Sequence, residues 1–177
     1  MKQKRILPFL LAAALLLGLA GCGGDSSDSS SLPEEEPENL EYPVSIGDET
    51  IPARPEKVVS LSPALTELCF DMGYGERLTG VSDYCDWPEQ VQDLPRMGTA
   101  QQPDLDAVRA DKPDVVITHT DLSENDLIAL QQADIPVVVL SRARLPEDLK
   151  DLYVNLGRLF EGEQAGSEAG KAFYNEQ

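Results

Sequence analysis

Few residues of this chain have side chains suited to chemistry, and two of them follow predicted strands. His119 is the sole histidine and could coordinate a metal ion through an imidazole nitrogen. Ser62 lies where a strand meets a helix, so that free backbone N–H groups there could bind an anionic group. Ser62 and His119 could also form a nucleophile and its base, but Ser62 lacks the Gly-x-Ser-x-Gly pattern of a hydrolase. The residues favour binding over bond chemistry, and a surface hydrolase is the alternative.

The three cysteines have different sequence contexts. Cys22 ends the small-residue stretch Leu-Ala-Gly-Cys, Cys69 lies within an apolar helical pattern, and Cys85 lies in a predicted loop. A disulfide between Cys69 and Cys85 is possible outside the cytoplasm, but its geometry cannot be judged from spacing. Since no Cys/His spacing typical of zinc is found, we predict no resident metal and no intrinsic cofactor.

The elements that position these residues alternate between strand and helix. Short β-branched runs predict buried parallel strands, and apolar residues at helical spacing predict the helices between them. The expected fold is α/β, with a parallel sheet flanked by helices and right-handed crossovers. In such sheets ligands bind outside the carboxyl ends of the strands, which is where Ser62 and His119 lie. The predicted elements are a hairpin over 42–51, strands over 57–61, 78–81, 114–118 and 136–140, and helices over 64–72, 104–110, 123–132, 146–160 and from 164 onward.

The start of the chain has the layout of a secretory signal. Residues 1–5 carry three basic residues, and an apolar run follows over 6–20 that is shorter than a confident membrane-spanning helix. The run ends at Cys22 in a sequence that resembles the bacterial lipobox, which implies cleavage after residue 21 and lipid attachment to Cys22. Residues 22–41 are rich in Gly, Ser, Asp, Glu and Pro, and this composition predicts a disordered tether.

The charge balance excludes nucleic acid as a partner. Since the first 21 residues hold three basic residues and no acidic one, the mature chain would carry 11 basic and 32 acidic residues, a net charge of −21. Binding of phosphate backbones requires a basic surface, which this chain lacks. A cationic surface on another protein would attract it.

Four ordered segments identify a family. Residues 58–68, 80–88, 103–108 and 112–117 resemble the substrate-binding lipoproteins of ABC importers for cobalamin, haem and ferric siderophores. That family has two α/β lobes joined by a rigid helix, with the ligand held between the lobes. The resemblance implies that residues 42–162 form the N-terminal lobe and that residues 163–177 begin the interlobe helix. No second lobe follows, so we expect the chain to be one part of a two-lobed protein.

The resemblance also assigns roles to individual residues. Tyr84 matches the position where an aromatic ring lies against the ligand, and Trp87 is either a second contact or a support for the loop. Gln101 lies where cobalamin binders offer an aromatic ring, next to the small residue Ala100. Asp106 matches the acidic residue by which this lobe contacts arginines of the permease, although an acid in a first helical turn also stabilises a helix.

Together these features predict an extracytoplasmic, lipid-anchored component of an ABC importer. It would bind a metal-chelate nutrient such as cobalamin, haem or a ferric siderophore and deliver it to the permease without catalysing a reaction. Ser62, Tyr84, Trp87, Gln101 and His119 are the predicted ligand contacts. A single-lobe interaction module that binds no small molecule is the alternative.

Overall fold

The computed structural model describes residues 41–177. The predicted signal sequence, the lipidation site Cys22 and all but the last residue of the predicted tether lie outside these residues. Within residues 41–177, none of the helices combines the length and the apolar character that crossing a membrane requires.

A four-stranded parallel sheet forms the centre of the fold. Its strands are β3 (Val58–Ser60), β4 (Leu78–Val81), β5 (Val115–Thr118) and β6 (Val137–Val139), in the order β4-β3-β5-β6. Almost every residue in them is buried, as expected for strands covered on both faces. A separate antiparallel hairpin, β1 (Val44–Ile46) with β2 (Glu49–Ile51), precedes the sheet. The fold class and the four-strand prediction are confirmed.

Helices cover both faces of the sheet and enclose two apolar cores. The helices are α1 (Pro63–Asp71), α2 (Leu105–Asp111), α3 (Glu124–Gln131), α4 (Pro146–Glu161) and α5 (Glu163–Glu176). Side chains from α1, α4 and the hairpin pack with Val58 and Ile117 on one face. Side chains from α2 and α3 pack with Val59 and Val116 on the other face. Consecutive strand residues thus point into opposite cores, as the pleat of a strand dictates.

Three of the helices are capped at their starts by short polar side chains. Ser62, Asp104 and Ser123 each accept a hydrogen bond from a backbone N–H of the helix they cap. At the start of α3 the Asp126 carboxylate also accepts a hydrogen bond from the Ser123 hydroxyl at 2.6 Å. Two short 3₁₀ helices, Gly75–Arg77 and Glu89–Asp93, were not anticipated, because three- to five-residue turns leave little periodicity in a sequence.

The last two helices form a closely packed antiparallel pair. Only Gly162 separates α4 from α5, and its φ of +96° belongs to the region that favours glycine. Gly157 of α4 faces Gly166 of α5, and Gly170 faces the backbone of Tyr153, so closely that a Cβ at any of the three glycines would collide with backbone atoms. Only glycine at these positions allows the two helices to approach each other this closely.

Replacing one contact glycine tests this packing. Gly166→Val places a branched side chain where no Cβ fits, so we expect the free energy of unfolding to fall by about 1–3 kcal/mol. Ala165→Val is the matched control, because Ala165 is exposed on the same helix. Urea unfolding followed by circular dichroism measures both variants. Equal loss of stability in the two would show that Gly166 does not limit the approach of the helices.

Candidate functional site

A crevice opens between the carboxyl ends of β3 and β5, the two central strands of the sheet. The two strands are neighbours, yet the chain leaves them in opposite directions. After β3 the chain enters α1, which packs on the same face of the sheet as α4. After β5 it continues to α3, which packs on the opposite face together with α2. Connections that diverge to opposite faces leave a gap at the edge of a parallel sheet, and such switch points are the usual ligand sites of α/β folds.

Four of the predicted ligand contacts line this crevice together. Ser62, Tyr84, Gln101 and His119 border one concavity of about 100 Å³. Two adjoining concavities of about 440 and 780 Å³ extend from it along the loop after β6. The structure therefore brings residues that are up to 57 positions apart in sequence onto one wall.

Ser62 is held by a buried network of hydroxyl groups. Its side chain, 5% exposed, accepts a hydrogen bond from the Leu65 N–H at 3.4 Å. Its carbonyl accepts from the Thr66 hydroxyl at 3.0 Å and from the Ser60 hydroxyl at 3.1 Å. The Thr66 hydroxyl also contacts the Cys85 thiol at 3.3 Å. Because each buried polar group has a partner, the floor of the crevice is fixed at little energetic cost.

The loop that carries Tyr84 is tied to the sheet by Arg96. The Arg96 guanidinium donates to the carbonyls of Ser82 and Cys85, at 3.2 and 2.6 Å. The Asp83 carboxylate accepts from the Gly98 N–H at 3.1 Å, which joins the two ends of the loop. Although its backbone is held in this way, the Tyr84 side chain is 72% exposed. It presents an open aromatic face beside the crevice.

Cys69 and Cys85 are both buried, free thiols, so the disulfide left open by the sequence is not formed. Burial raises the pKa of each thiol above its ordinary value. Cys69 lies in the core formed with α1, α4 and the hairpin, and Cys85 joins the same core from the loop of Tyr84. These thiols contribute packing rather than reactivity.

His119 is oriented by a backbone carbonyl. Its Nδ1 lies 2.5 Å from the carbonyl oxygen of Leu140, which can only accept, so Nδ1 carries the proton. Burial lowers the pKa of His119, the hydrogen bond to Leu140 opposes that effect, and the positive charge of Arg142 adds to it. The imidazole is therefore neutral at pH 7, and its Nε2 keeps a lone pair that could bind a metal centre.

The arrangement does not assemble hydrolytic machinery. Ser62 and His119 border the same concavity, but the Ser62 hydroxyl caps α1 and the His119 Nδ1 binds a carbonyl rather than an acid. Among residues 41–177, Ser62 and His119 share no hydrogen bond, and no cluster of three or more His, Cys, Asp or Glu side chains could hold a metal ion. Ser62 and His119 therefore lack the hydrogen bond that joins a nucleophile to its base.

The remaining predicted residues lie outside the crevice wall. Trp87 is 64% exposed in the Tyr84 loop and does not border the concavity, so neither ligand contact nor support of the loop is evident for it. Asp106 lies in the first turn of α2 with its side chain 99% exposed, 3.7 Å from the guanidinium of Arg109.

A separate concavity of about 490 Å³ lies at the amino ends of β5 and β6. It is bordered mainly by backbone turns and apolar side chains, and its arginine, Arg54, is already bonded to Glu161 at 2.7 Å. The crevice at the carboxyl ends is the better candidate, since polar, aromatic and unpaired basic side chains converge there.

Two residues of the site were not singled out from the sequence. Arg96 lies twelve positions after Tyr84 and has no motif around it, so only the fold reveals that it holds the loop. Arg142 borders all three adjoining concavities. Its position directly after a predicted strand is a signal that sequence inspection could have used.

The protonation of His119 can be measured directly, because it is the only histidine. We expect its imidazole proton signals to titrate below pH 6.5, the ordinary value, in the folded chain. As pH falls from about 6.5, the unfolded chain binds the proton first, so the contribution of His119 to the free energy of unfolding decreases. Proton NMR with and without urea checks this. A folded-state pKa at or above the unfolded one would contradict the role of burial.

Comparison with known proteins finds relatives that are named as substrate-binding or vitamin-binding proteins. It is 29% identical over 175 residues to an uncharacterised ABC transporter substrate-binding lipoprotein, YvrC, of Bacillus subtilis, covering 94% of this chain and 52% of the relative. Over 69 residues it is 39% identical to the vitamin B12-binding protein of Yersinia pestis, covering 38% of this chain and 25% of that protein. The chain therefore spans about half the length of the first of these relatives and less of the second.

A solved structure of another binding protein has a similar fold. The periplasmic haem-binding protein of Pseudomonas aeruginosa superposes with a TM-score of 0.61 at 27% identity, covering 69% of this chain and 44% of that one. These proteins are named as binding proteins rather than enzymes. The profile of the family described as periplasmic binding protein matches residues 58–176, which is more than half of the chain. This confirms the family predicted from the four sequence segments: the chain belongs to the periplasmic binding protein family.

Proposed function

We propose that this chain is part of the lipid-anchored, extracytoplasmic substrate-binding component of an ABC importer, and that it captures a metal-chelate nutrient and hands it to a permease. One observation carries the proposal. Ser62, Tyr84, Gln101 and His119 border a single concavity at the switch point of the parallel sheet. A wall of this kind suits a flat or chelated guest such as cobalamin, haem or a ferric siderophore.

Each residue of the wall has a proposed contribution. The exposed ring of Tyr84 offers an aromatic face for stacking on a macrocycle. Gln101 and the loop after β5 supply polar contacts at the rim. His119 presents Nε2, either as a ligand to a metal centre or as a hydrogen-bond acceptor. Trp87 is exposed in the same loop but does not border the concavity, so no contact is proposed for it.

The other half of the clamp is proposed from the relatives. The chain spans about half of the Bacillus relative, which leaves length for a second lobe that would close over the guest. We propose that α5 begins the helix joining the two lobes. Its packing against α4 through facing glycines would keep such a junction stiff, so that closure involves small motions.

Contact with the permease is assigned to α2. The Asp106 carboxylate is almost fully exposed at the start of this helix, where an arginine of a partner could reach it. The negative charge of the whole chain would favour the approach of a cationic surface.

Ligand titration tests the central proposal. Haem, cobalamin and a ferric siderophore are added to the purified chain, and quenching of Trp87, the only tryptophan, reports binding. Tyr84→Ala removes the stacking surface, so we expect affinity to fall by about tenfold or more. Asp106→Asn is the control, since a docking residue leaves ligand affinity unchanged and should lower uptake in cells instead. Failure of all three ligands to bind the unaltered chain would favour an interaction module.

The membrane anchor has its own test. We propose that Cys22 carries the lipid, because it ends a sequence similar to the bacterial lipobox and precedes a polar tether. In cells fed labelled palmitate, Cys22→Ser should abolish labelling and release the protein from the membrane fraction. Cys85→Ala, the control, should remain labelled. Retention of label by Cys22→Ser would place the lipid elsewhere or exclude it.

A further inference from the structure

Most basic side chains in the described part of the chain are already engaged. Six of the eleven Lys and Arg residues in 41–177 bond to a carboxylate or a backbone carbonyl: Arg54, Lys57, Arg77, Arg96, Arg109 and Arg158. Of the remaining five, only Arg142 and Arg144 border the concavities of the candidate site. The chain has a net charge of −18, so basic residues are the minority among its charged residues, and two of them border one cleft.

Arg142 and Arg144 differ in their surroundings. The backbone N–H of Arg144 donates to the Asp148 carboxylate at 2.9 Å, and the positive charge of Arg144 helps to lower the pKa of Asp148. Arg144 therefore has a local counter-charge. Among residues 41–177, the Arg142 guanidinium forms no ion pair with a carboxylate.

The acidic residues near Arg142 are confined to one side. Asp121, Asp148 and Asp151 border the largest of the three concavities, together with both arginines. The two smaller concavities, which contain Ser62 and His119, are bordered by no acidic residue, and Arg142 is their only formally charged side chain. A guest resting against Ser62 and His119 therefore has Arg142 as the one formally charged side chain among the residues that border these two concavities.

We propose that Arg142 binds a carboxylate of the guest, so that the cargo is an anionic, carboxylate-bearing metal chelate. This inference rests on the proposed transport function and narrows its substrate class. A guanidinium can donate two parallel hydrogen bonds to a carboxylate, and it stays charged at any physiological pH. Porphyrin propionates and ferric complexes of citrate type both supply this group, whereas the peripheral amides of a corrinoid do not.

The small residue at position 100 agrees with this assignment. Ala100 borders the concavity and is itself 5% exposed, so it adds no stacking surface there. Tyr84 is thus the one exposed aromatic ring on the wall, and polar contacts would have to set the orientation of a guest against it. A carboxylate on Arg142 and a metal centre or acceptor contact at His119 would then fix the orientation of the guest against that ring.

Binding of haem is compared with binding of its dimethyl ester, which lacks the free carboxylates, so the difference measures their contribution to affinity. Arg142→Gln should weaken haem binding by about tenfold or more and leave binding of the ester unchanged. Lys150→Gln is the matched control, because it removes the same charge from α4 at a position that does not border the cleft, and it should bind haem as the unaltered chain does. Ferric citrate is titrated in parallel, and tighter binding of it than of haem would identify the citrate-type source.

The outcomes separate this inference from the proposed function. If haem or ferric citrate binds and the Arg142→Gln and Lys150→Gln variants behave alike, the carboxylate assignment is wrong while the transport function stands. The same holds if cobalamin binds and neither anionic chelate does, or if Arg142→Gln weakens haem and its ester equally. If the unaltered chain binds none of these chelates, the proposed function itself fails. Circular dichroism of each variant confirms that it is folded.

Discussion

The site depends on the divergence of two chain connections from neighbouring parallel strands. Strand β3 leads to a helix on one face of the sheet, and β5, hydrogen-bonded beside it, leads to a helix on the other face. The handedness of parallel crossovers leaves no alternative path, so a gap between the two connections is a geometric necessity. Ser62 and His119 come to face the same crevice because each is among the first residues after its strand.

The crevice is rigid because its polar supports are satisfied. Hydroxyl groups of Ser60 and Thr66 converge on the Ser62 carbonyl, and Arg96 bonds the loop that carries Tyr84. Unsatisfied groups at this depth would cost about 1–3 kcal/mol each, so the network also selects this loop conformation over others. A fixed wall with an exposed aromatic ring suits a protein that receives a preformed, rigid guest.

Charge has two separate roles in this chain. The large acidic excess of the whole chain acts at a distance and would favour the approach of a cationic surface. At the two inner concavities of the crevice Arg142 is the one formally charged side chain, and no acidic residue borders them. Long-range and local electrostatics can differ in this way because screening limits the reach of exposed charges to about 10 Å at moderate salt.

The sequence alone determined the fold class, the family and the succession of strands and helices along the chain. These features are readable because β-branched runs, helical spacing of apolar residues and ordered motifs are local signals. It also placed Ser62 and His119 after strands, and the parallel sheet brings such positions to one edge. Only the tertiary structure decided that Trp87 does not border the wall, that Cys69 and Cys85 remain apart as thiols, and that Arg96 holds the loop of Tyr84. These outcomes depend on how loops pack and on which charges find partners, and contacts between residues distant in sequence leave no local pattern to be read.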